Sequence, residues 1–387
     1  MIPYGKQSIS QQDIDAVVSV LNSDWLTQGP KVPAFEKAVT ELCQAKHGVA
    51  VNSATSALHI ANLALGVGEN DIVWTSPISF VASANCALYC GAKVDFVDIE
   101  LSSGNMSVDA LKKKLVWAKE HNCLPKVVIP VHLAGQSCDM KAIASLAKEY
   151  HFNIIEDASH AIGGKYNQLP IGSCQFSDIT VFSFHPVKIV TSAEGGMSVT
   201  NDTNLANKMR RFRSHGITSN NDEMTEPSHG PWYYQQVDLG FNYRMTDLHA
   251  ALGLSQLSRL HDFVATRNEL AQRYDNAFAS SNVTPLKSKS DCLSSYHLYL
   301  ILLPKQSSMH NNTQAHKDAI IHLRDKGICA HVHYIPVHLQ PYYTSLGFAQ
   351  GDFPNAEEYY SRVVTLPLHP LLLATEQEYI IEQVKGL

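Results

Sequence analysis

Residues 178–200 read DITVFSFHPVKIVTSAEGGMSVT, and the fold is decided there. Residues 179–184 are a compact β-branched and aromatic run, the pattern of a buried strand. That strand delivers Ser183, His185 and Lys188 onto the loop that follows, and Gly195-Gly196 turn the chain into a second apolar segment. A lysine at the end of a buried strand suits covalent chemistry, because desolvation lowers the pKa of its amine toward neutrality and frees a nucleophile for Schiff-base formation. Lys188 is the candidate. A plain surface-loop lysine fits the same residues, and this stretch alone leaves both readings open.

Working outward toward the N-terminus, residues 53–66 (SATSALHIANLALG) follow a short strand, VAVN, and switch to helical spacing. Ser53, Ala54, Thr55 and Ser56 then form a small, polar first turn. Free backbone N–H groups and the helix dipole favour a phosphate at such a turn, although simple N-capping by Ser53 explains the composition equally. Before it, residues 9–22 carry a helix start at Ser10 with apolar spacing at Ile14, Val17, Val18 and Leu21. A second helix, VPAFEKAVTELCQAKHG, is expected to close at Gly48.

From residue 72 strands and helices alternate: IVWTS, SFVASANCALYCG, KVDFVDI, a helix near 107–121, KVVIPVHLAG, a helix at 137–151, then NIIEDASHAIGG. Such βαβ alternation predicts an α/β fold, with a mostly parallel sheet sandwiched by helices. Ligands of open α/β sheets lie beyond the carboxyl ends of the strands, so Phe80, His132, Asp157 and Lys188 are expected to converge. Beyond Met209 a polar, aromatic and turn-rich loop runs to about residue 236 and leads into a helix with Leu248, Leu252, Leu257 and Leu260. Strands SYHLYLILL and ICAHVHYIPV around a helix at 314–326, with a final helix in TEQEYIIEQVKGL, predict a smaller α+β domain. The expected division is residues 1–260 and 261–387.

Hydrophobic residues at 45% and charged residues at 17% are ordinary for a globular protein, and a net charge of -6 argues against phosphate-backbone binding as the main task. Nucleic acid is not an expected partner. The eight cysteines include no CxxC pair, which suits reduced thiols and a cytoplasmic location. No basic-then-apolar leader pattern opens the chain, and no run reaches the ~18 apolar residues of a membrane span.

A helix N-terminus for phosphate, an aspartate at one strand end and a lysine at another together match what pyridoxal phosphate requires: an anchor, a partner for the pyridine nitrogen and an amine. SATSALHIA, EDASHAIGG, SFHPVK with EGGM, and DLGFNYRMTD resemble, in order and spacing, the DegT/DnrJ/StrS family of sugar aminotransferases. The likeness covers nearly the whole chain. It implies an aspartate aminotransferase-like, fold type I architecture. SDWLTQGP, GPWYYQQVDLGFNYRMTD and VHYIPVHLQPYY are most similar to the branch that handles UDP-linked sugars on the route to pseudaminic acid.

The resemblance implies that Lys188 holds the cofactor and shuttles a proton, Asp157 meets the pyridine nitrogen and Phe80 stacks on the ring. His160, where the family commonly has Gln, would lie beside the phenolic oxygen. Ala54, Thr55 and Ser183 would bind the phosphate, with Asn242 reaching it from the neighbouring subunit of a homodimer. The implied substrates are L-glutamate and a UDP-linked 4-keto-6-deoxy-N-acetylhexosamine aminated at C4. Tyr4, Lys6, His185, Arg244, His333 and Tyr334 are candidates for contacts to the sugar nucleotide, with Arg213 also available. Arg244 suits paired bonds to phosphate unless Asp247 holds it.

One departure stands after Lys188, where Ala193 replaces a more typical Gly; if that backbone needs positive φ, the loop must differ. His331-x-His333 puts two imidazoles on one face of an expected strand without an obvious third ligand, so no metal is expected. Other readings are an aminotransferase for a dTDP-linked 4-keto or a 3-keto sugar, a sugar dehydratase on the same fold, or a non-catalytic binding protein. An intact Lys188 and Asp157 speak against the last two.

Overall fold

The computed structural model describes all 387 residues. It opens on helices α1 (Gln11–Leu21) and α2 (Lys31–Cys43). Ser10 caps α1 reciprocally: its hydroxyl accepts from the Asp13 N–H, and the Asp13 carboxylate accepts from the Ser10 N–H. The apolar spacing of α1 marks a face that stays exposed at Ile14, Val18 and Leu21, while Asp13 and Val20 are the buried positions.

Helix α2 has Pro30 at its N-cap and needs an acceptor from elsewhere. Asp247 supplies it, accepting from the backbone N–H groups of Gly29, Lys31 and Val32 at 3.2, 3.1 and 3.4 Å. The helix ends at Gln44, with φ of 59°, rather than at Gly48. Gly48 lies inside β1 (His47–Val51), where an added Cβ would stand 3.0 Å from Thr40 Cγ2. The glycine lets the strand approach the helix; it does not stop the helix.

Strands β2 (Ile72–Thr75), β3 (Lys93–Phe96), β4 (Val127–Ile129) and β5 (Asn153–Asp157) alternate with α3 (Ala54–Ala64), α4 (Ala82–Tyr89), α5 (Val108–Glu120) and α6 (Met140–Tyr150). A hairpin, β6 (Lys165–Tyr166) and β7 (Leu169–Pro170), precedes β8 (Ile179–Ser183) and β9 (Gly196–Thr200). The seven-stranded sheet has the order β1-β9-β8-β5-β4-β2-β3, and only β9 runs against the rest. Period-two alternation divides its side chains. Val49, Val73, Ile129, Ile155 and Val181 meet α3 and α4 on one face. Ala50, Phe182 and Val199 meet α2, and Trp74, Val128 and Ile154 meet α5 and α6, on the other.

The long loop expected from residue 210 starts later, because α7 (Thr203–Arg213) takes up the sequence RRFR. Strand β10 (Ile217–Thr218) then pairs with β11 (Gln235–Gln236), so residues 219–234 are an excursion from a small ribbon. Helix α8 (Asp247–Leu257) buries Ala250, Ala251 and Gly253 rather than its leucines. Gly253 lies against Phe35, whose ring would be 2.8 Å from an added Cβ.

Helix α9 (Leu260–Phe278) leads to β12 (Thr284–Pro285), β13 (Cys292–Leu293), β14 (Tyr299–Leu302), α10 (Met309–Asp325), α11 (Pro341–Thr344), α12 (Pro354–Tyr360), β15 (Val363–Leu366) and α13 (Ala374–Lys385). The antiparallel sheet β12-β14-β15 packs Tyr299, Ile301, Val364 and Leu366 against α9, α10 and α13. Its other face, with Leu300, Leu302 and Val363, joins the same apolar cluster as the large sheet. ICAHVHYIPV is not a strand: it pairs only through two isolated bridges, Ile328 to Ile2 and His331 to Thr365, and then carries Tyr334 to the carboxyl edge of the large sheet. No helix is long and apolar enough to cross a membrane.

Candidate active site

Because β8 and β9 are antiparallel neighbours, residues 184–195 form a hairpin connection over the carboxyl end of β8. Two main-chain bonds tie it down, Phe184 N–H to Gly195 O and Ser192 N–H to Phe184 O, both 2.9 Å. Lys188 sits at its centre, above a cavity of about 460 Å³. The amine makes no hydrogen bond or ion pair within the chain. Burial lowers its pKa to about 8, outweighing the opposite pull of Asp157.

Strand alternation gives the two neighbouring acids of β5 different tasks. Asp157 faces the cavity; its Oδ2 accepts from Ser83 at 2.6 Å and its Oδ1 from the Ser159 N–H at 3.1 Å. Since the Ser83 proton goes to Asp157, the Ser79 hydroxyl, 2.6 Å from Ser83, donates to it in turn. Glu156 points away and accepts from His132 Nε2 at 2.7 Å and Thr180 at 3.1 Å, with Ser177 also bonded. Thus His132 is withdrawn from the cleft where the strand ends suggested it. It is fully buried behind the sheet edge, with Nδ1 accepting from the Cys138 N–H.

At the first turn of α3, Ser53 accepts from the Ser56 N–H, and Ser56 donates to Asn52. Ala54 and Thr55, whose N–H groups have no partner within the helix, line the cavity together with Ser183. Phe80 stands at the mouth and is 60% exposed. Tyr4, His185, His333 and Tyr334 line the same space. His160 is buried, with both ring nitrogens engaged: Nδ1 by the Ala134 N–H at 3.3 Å and Nε2 by the Tyr334 hydroxyl at 3.1 Å.

Other candidates lie elsewhere. Lys6 is exposed and outside the cavity, and Asn242 is likewise exposed on the strip that bridges to Ser214. Arg244 does not line the cavity, and Asp247 is committed to the start of α2 rather than to it. Arg213 is paired with Glu36 at 2.6 Å and bonded to Ala50 O, so it holds α2 to β1. Ser79 and Ser83 were not singled out from the sequence. Their i, i+4 spacing before and within α4 was the available signal, and nothing local tied it to Asp157.

Pyridoxal phosphate fits these residues. An amine without a partner, a carboxylate held by donors and free N–H groups at a helix start surround one cavity of the size small-molecule sites have.

A profile of the DegT/DnrJ/EryC1/StrS aminotransferase family matches residues 7–385. The chain belongs to this family. It is a pyridoxal-phosphate-dependent aminotransferase, as other members are, and its architecture is that of fold type I. It is 38% identical over 390 residues to the spore coat polysaccharide biosynthesis protein SpsC of Bacillus subtilis, covering 100% of this chain and 97% of that one. Identity is 37% over 381 residues to the UDP-4-amino-4,6-dideoxy-N-acetyl-beta-L-altrosamine transaminase of Campylobacter jejuni, covering 98% and 96% of the two chains. Among solved structures, Helicobacter pylori PseC, an aminotransferase of pseudaminic acid biosynthesis, superposes with a TM-score of 0.89 at 33% identity, covering 99% and 98%.

The loop after Lys188 keeps a left-handed backbone at Ala193, φ 65°, so the alanine bears strain that a glycine would not. Ala193→Gly should raise the unfolding free energy by roughly 0.5–1 kcal/mol, read by denaturant titration. A loss of stability would show that the loop is not strained there.

Proposed function

We propose that this enzyme moves an amino group from L-glutamate to C4 of a UDP-linked 4-keto-6-deoxy-N-acetylhexosamine, in the assembly of a nonulosonic acid such as pseudaminic acid. The observation that carries this reading is end-to-end similarity to the Campylobacter transaminase and to PseC, including the segments outside the cofactor motif. When bound, pyridoxal phosphate supplies an aldehyde that bonds amines and a ring that takes up the electron pair left by a departing proton.

Lys188 is the amine that holds the cofactor. Its Nζ, once released from the cofactor, would take the proton from the α-carbon of glutamate and, in the second half-reaction, would deliver a proton to C4 of the sugar. A pKa already lowered to about 8 leaves a usable fraction of free base near neutral pH. Asp157 keeps the pyridine nitrogen protonated, and its bonds from Ser83 and the Ser159 N–H fix the carboxylate's orientation. Phe80 covers the ring; Ala54, Thr55 and Ser183 take the phosphate. Tyr4, His185 and His333 face the sugar nucleotide.

The protein acts as a homodimer in which Asn242 reaches the partner's phosphate. The exposed apolar side chains of α1 and of Trp25 and Leu26 support a buried interface on that side of the protomer. Hybrids of Lys188→Ala and Asn242→Ala subunits, each impaired alone, should regain one intact site in two. No recovery would count against shared sites.

The substrate is tested by coupled assay of the UDP-linked 4-keto sugar against dTDP-4-keto-6-deoxyglucose and a 3-keto sugar, with L-glutamate as donor. The UDP sugar should give the highest kcat/KM. Equal or better turnover of a competitor would reassign the substrate and leave the aminotransferase intact.

A further inference from the structure

The donor and acceptor roles at His160 follow from the group it faces. The ring is buried, and burial holds its pKa well below the usual histidine value, so it is neutral and carries one N–H. Nδ1 lies 3.3 Å from the backbone nitrogen of Ala134, a group that can only donate. Nδ1 therefore accepts, and the proton sits on Nε2. The Tyr334 hydroxyl oxygen, 3.1 Å from Nε2, is then an acceptor of that N–H. Its own proton is unspent: the hydroxyl has no other partner in the chain, and Tyr334 lines the cavity that holds Lys188 and Asp157.

We propose that Tyr334, its oxygen held by His160 Nε2–H, is the hydrogen-bond donor to an electron-rich oxygen bound in this cavity, and that His160 is a positioning residue acting only through Tyr334. The family resemblance placed His160 beside the cofactor's phenolic oxygen; in this arrangement its one N–H is spent on Tyr334 instead. Accepting a bond polarises a hydroxyl and makes it the stronger donor, so the two residues work as one unit. Two oxygens have the required chemistry, the cofactor's phenolic oxygen and an oxygen of the keto sugar. The inference rests on the cofactor site proposed above.

The test uses holoenzyme of Tyr334→Phe, His160→Leu and the double variant, with thermal unfolding as a check on folding. One arm titrates the absorbance of the bound cofactor against pH without substrate. The other measures equilibrium binding of the UDP-linked 4-keto-6-deoxy-N-acetylhexosamine. Tyr334→Phe should change one of the two by about tenfold or more, equal to about one pH unit in the first arm, as expected for losing a bond to a charged or polarised oxygen. A shift in the first arm assigns the cofactor oxygen, and one in the second the sugar.

His160→Leu should move the same quantity in the same direction, the double variant should do no worse than Tyr334→Phe, and His160→Gln, which keeps an N–H, should restore most of the effect. The proposal is overturned if Tyr334→Phe changes neither arm, or if the two single effects multiply. Should the leucine variant not fold, Tyr334→Phe, which removes one atom, decides alone. Coloured variants with unchanged readouts sink this inference only, whereas a wild-type protein that binds no cofactor sinks the cofactor site and this with it.

Discussion

An amine taken out of water beside a carboxylate is the constraint on which the site depends. For Lys188 the two influences oppose: burial disfavours the ammonium, and Asp157 favours it. Burial wins, and the result is a lysine near pKa 8 rather than at the value of an exposed one. Had the carboxylate won, the amine would be locked as a cation. The Asp157 oxygens meanwhile accept from Ser83 and from the Ser159 N–H, which fixes the carboxylate's orientation.

The sheet topology makes that balance possible. Parallel β4, β5 and β8 bring their carboxyl ends to one edge, and the reversal at β9 folds residues 184–195 back over it. Gly196 begins β9 where an added Cβ would lie 2.4 Å from Ser53 O and 2.5 Å from Ala54 N. Lysine loop and phosphate-type helix start are thereby pressed together with no room for a side chain. Behind the edge, the Glu156–His132 pair satisfies a second buried acid on the opposite face of β5, so that of the two neighbouring acids on that strand only Asp157 faces the cavity.

Much of this was legible in the sequence because period and local chemistry are local signals. The β8 run, the Ser53 cap and the alternation over residues 72–157 fall where the structure has them. Features settled by distant partners were not legible. Gly48 looks like a helix stop until Thr40 is seen against it, and Arg213 looks free until Glu36 meets it. His132 looks like a cleft residue until Glu156 turns away from the cavity to bind it. The ICAHVHYIPV segment has a strand's composition, but Ile2 and Thr365 offer it only isolated bridges. The Ser79–Ser83–Asp157 chain joins residues on different elements, and no spacing announces that.

Borohydride reduction of the cofactor-loaded protein followed by peptide mapping tests the central claim most directly, with the rate of cofactor uptake by cofactor-free protein measured across pH. Only the neutral amine attacks, so uptake should be slow below pH 8, rise through a midpoint near it and level off above, with the label on Lys188 alone. A label on another lysine, or a rise that comes only near the pKa of an ordinary exposed lysine, would contradict the account.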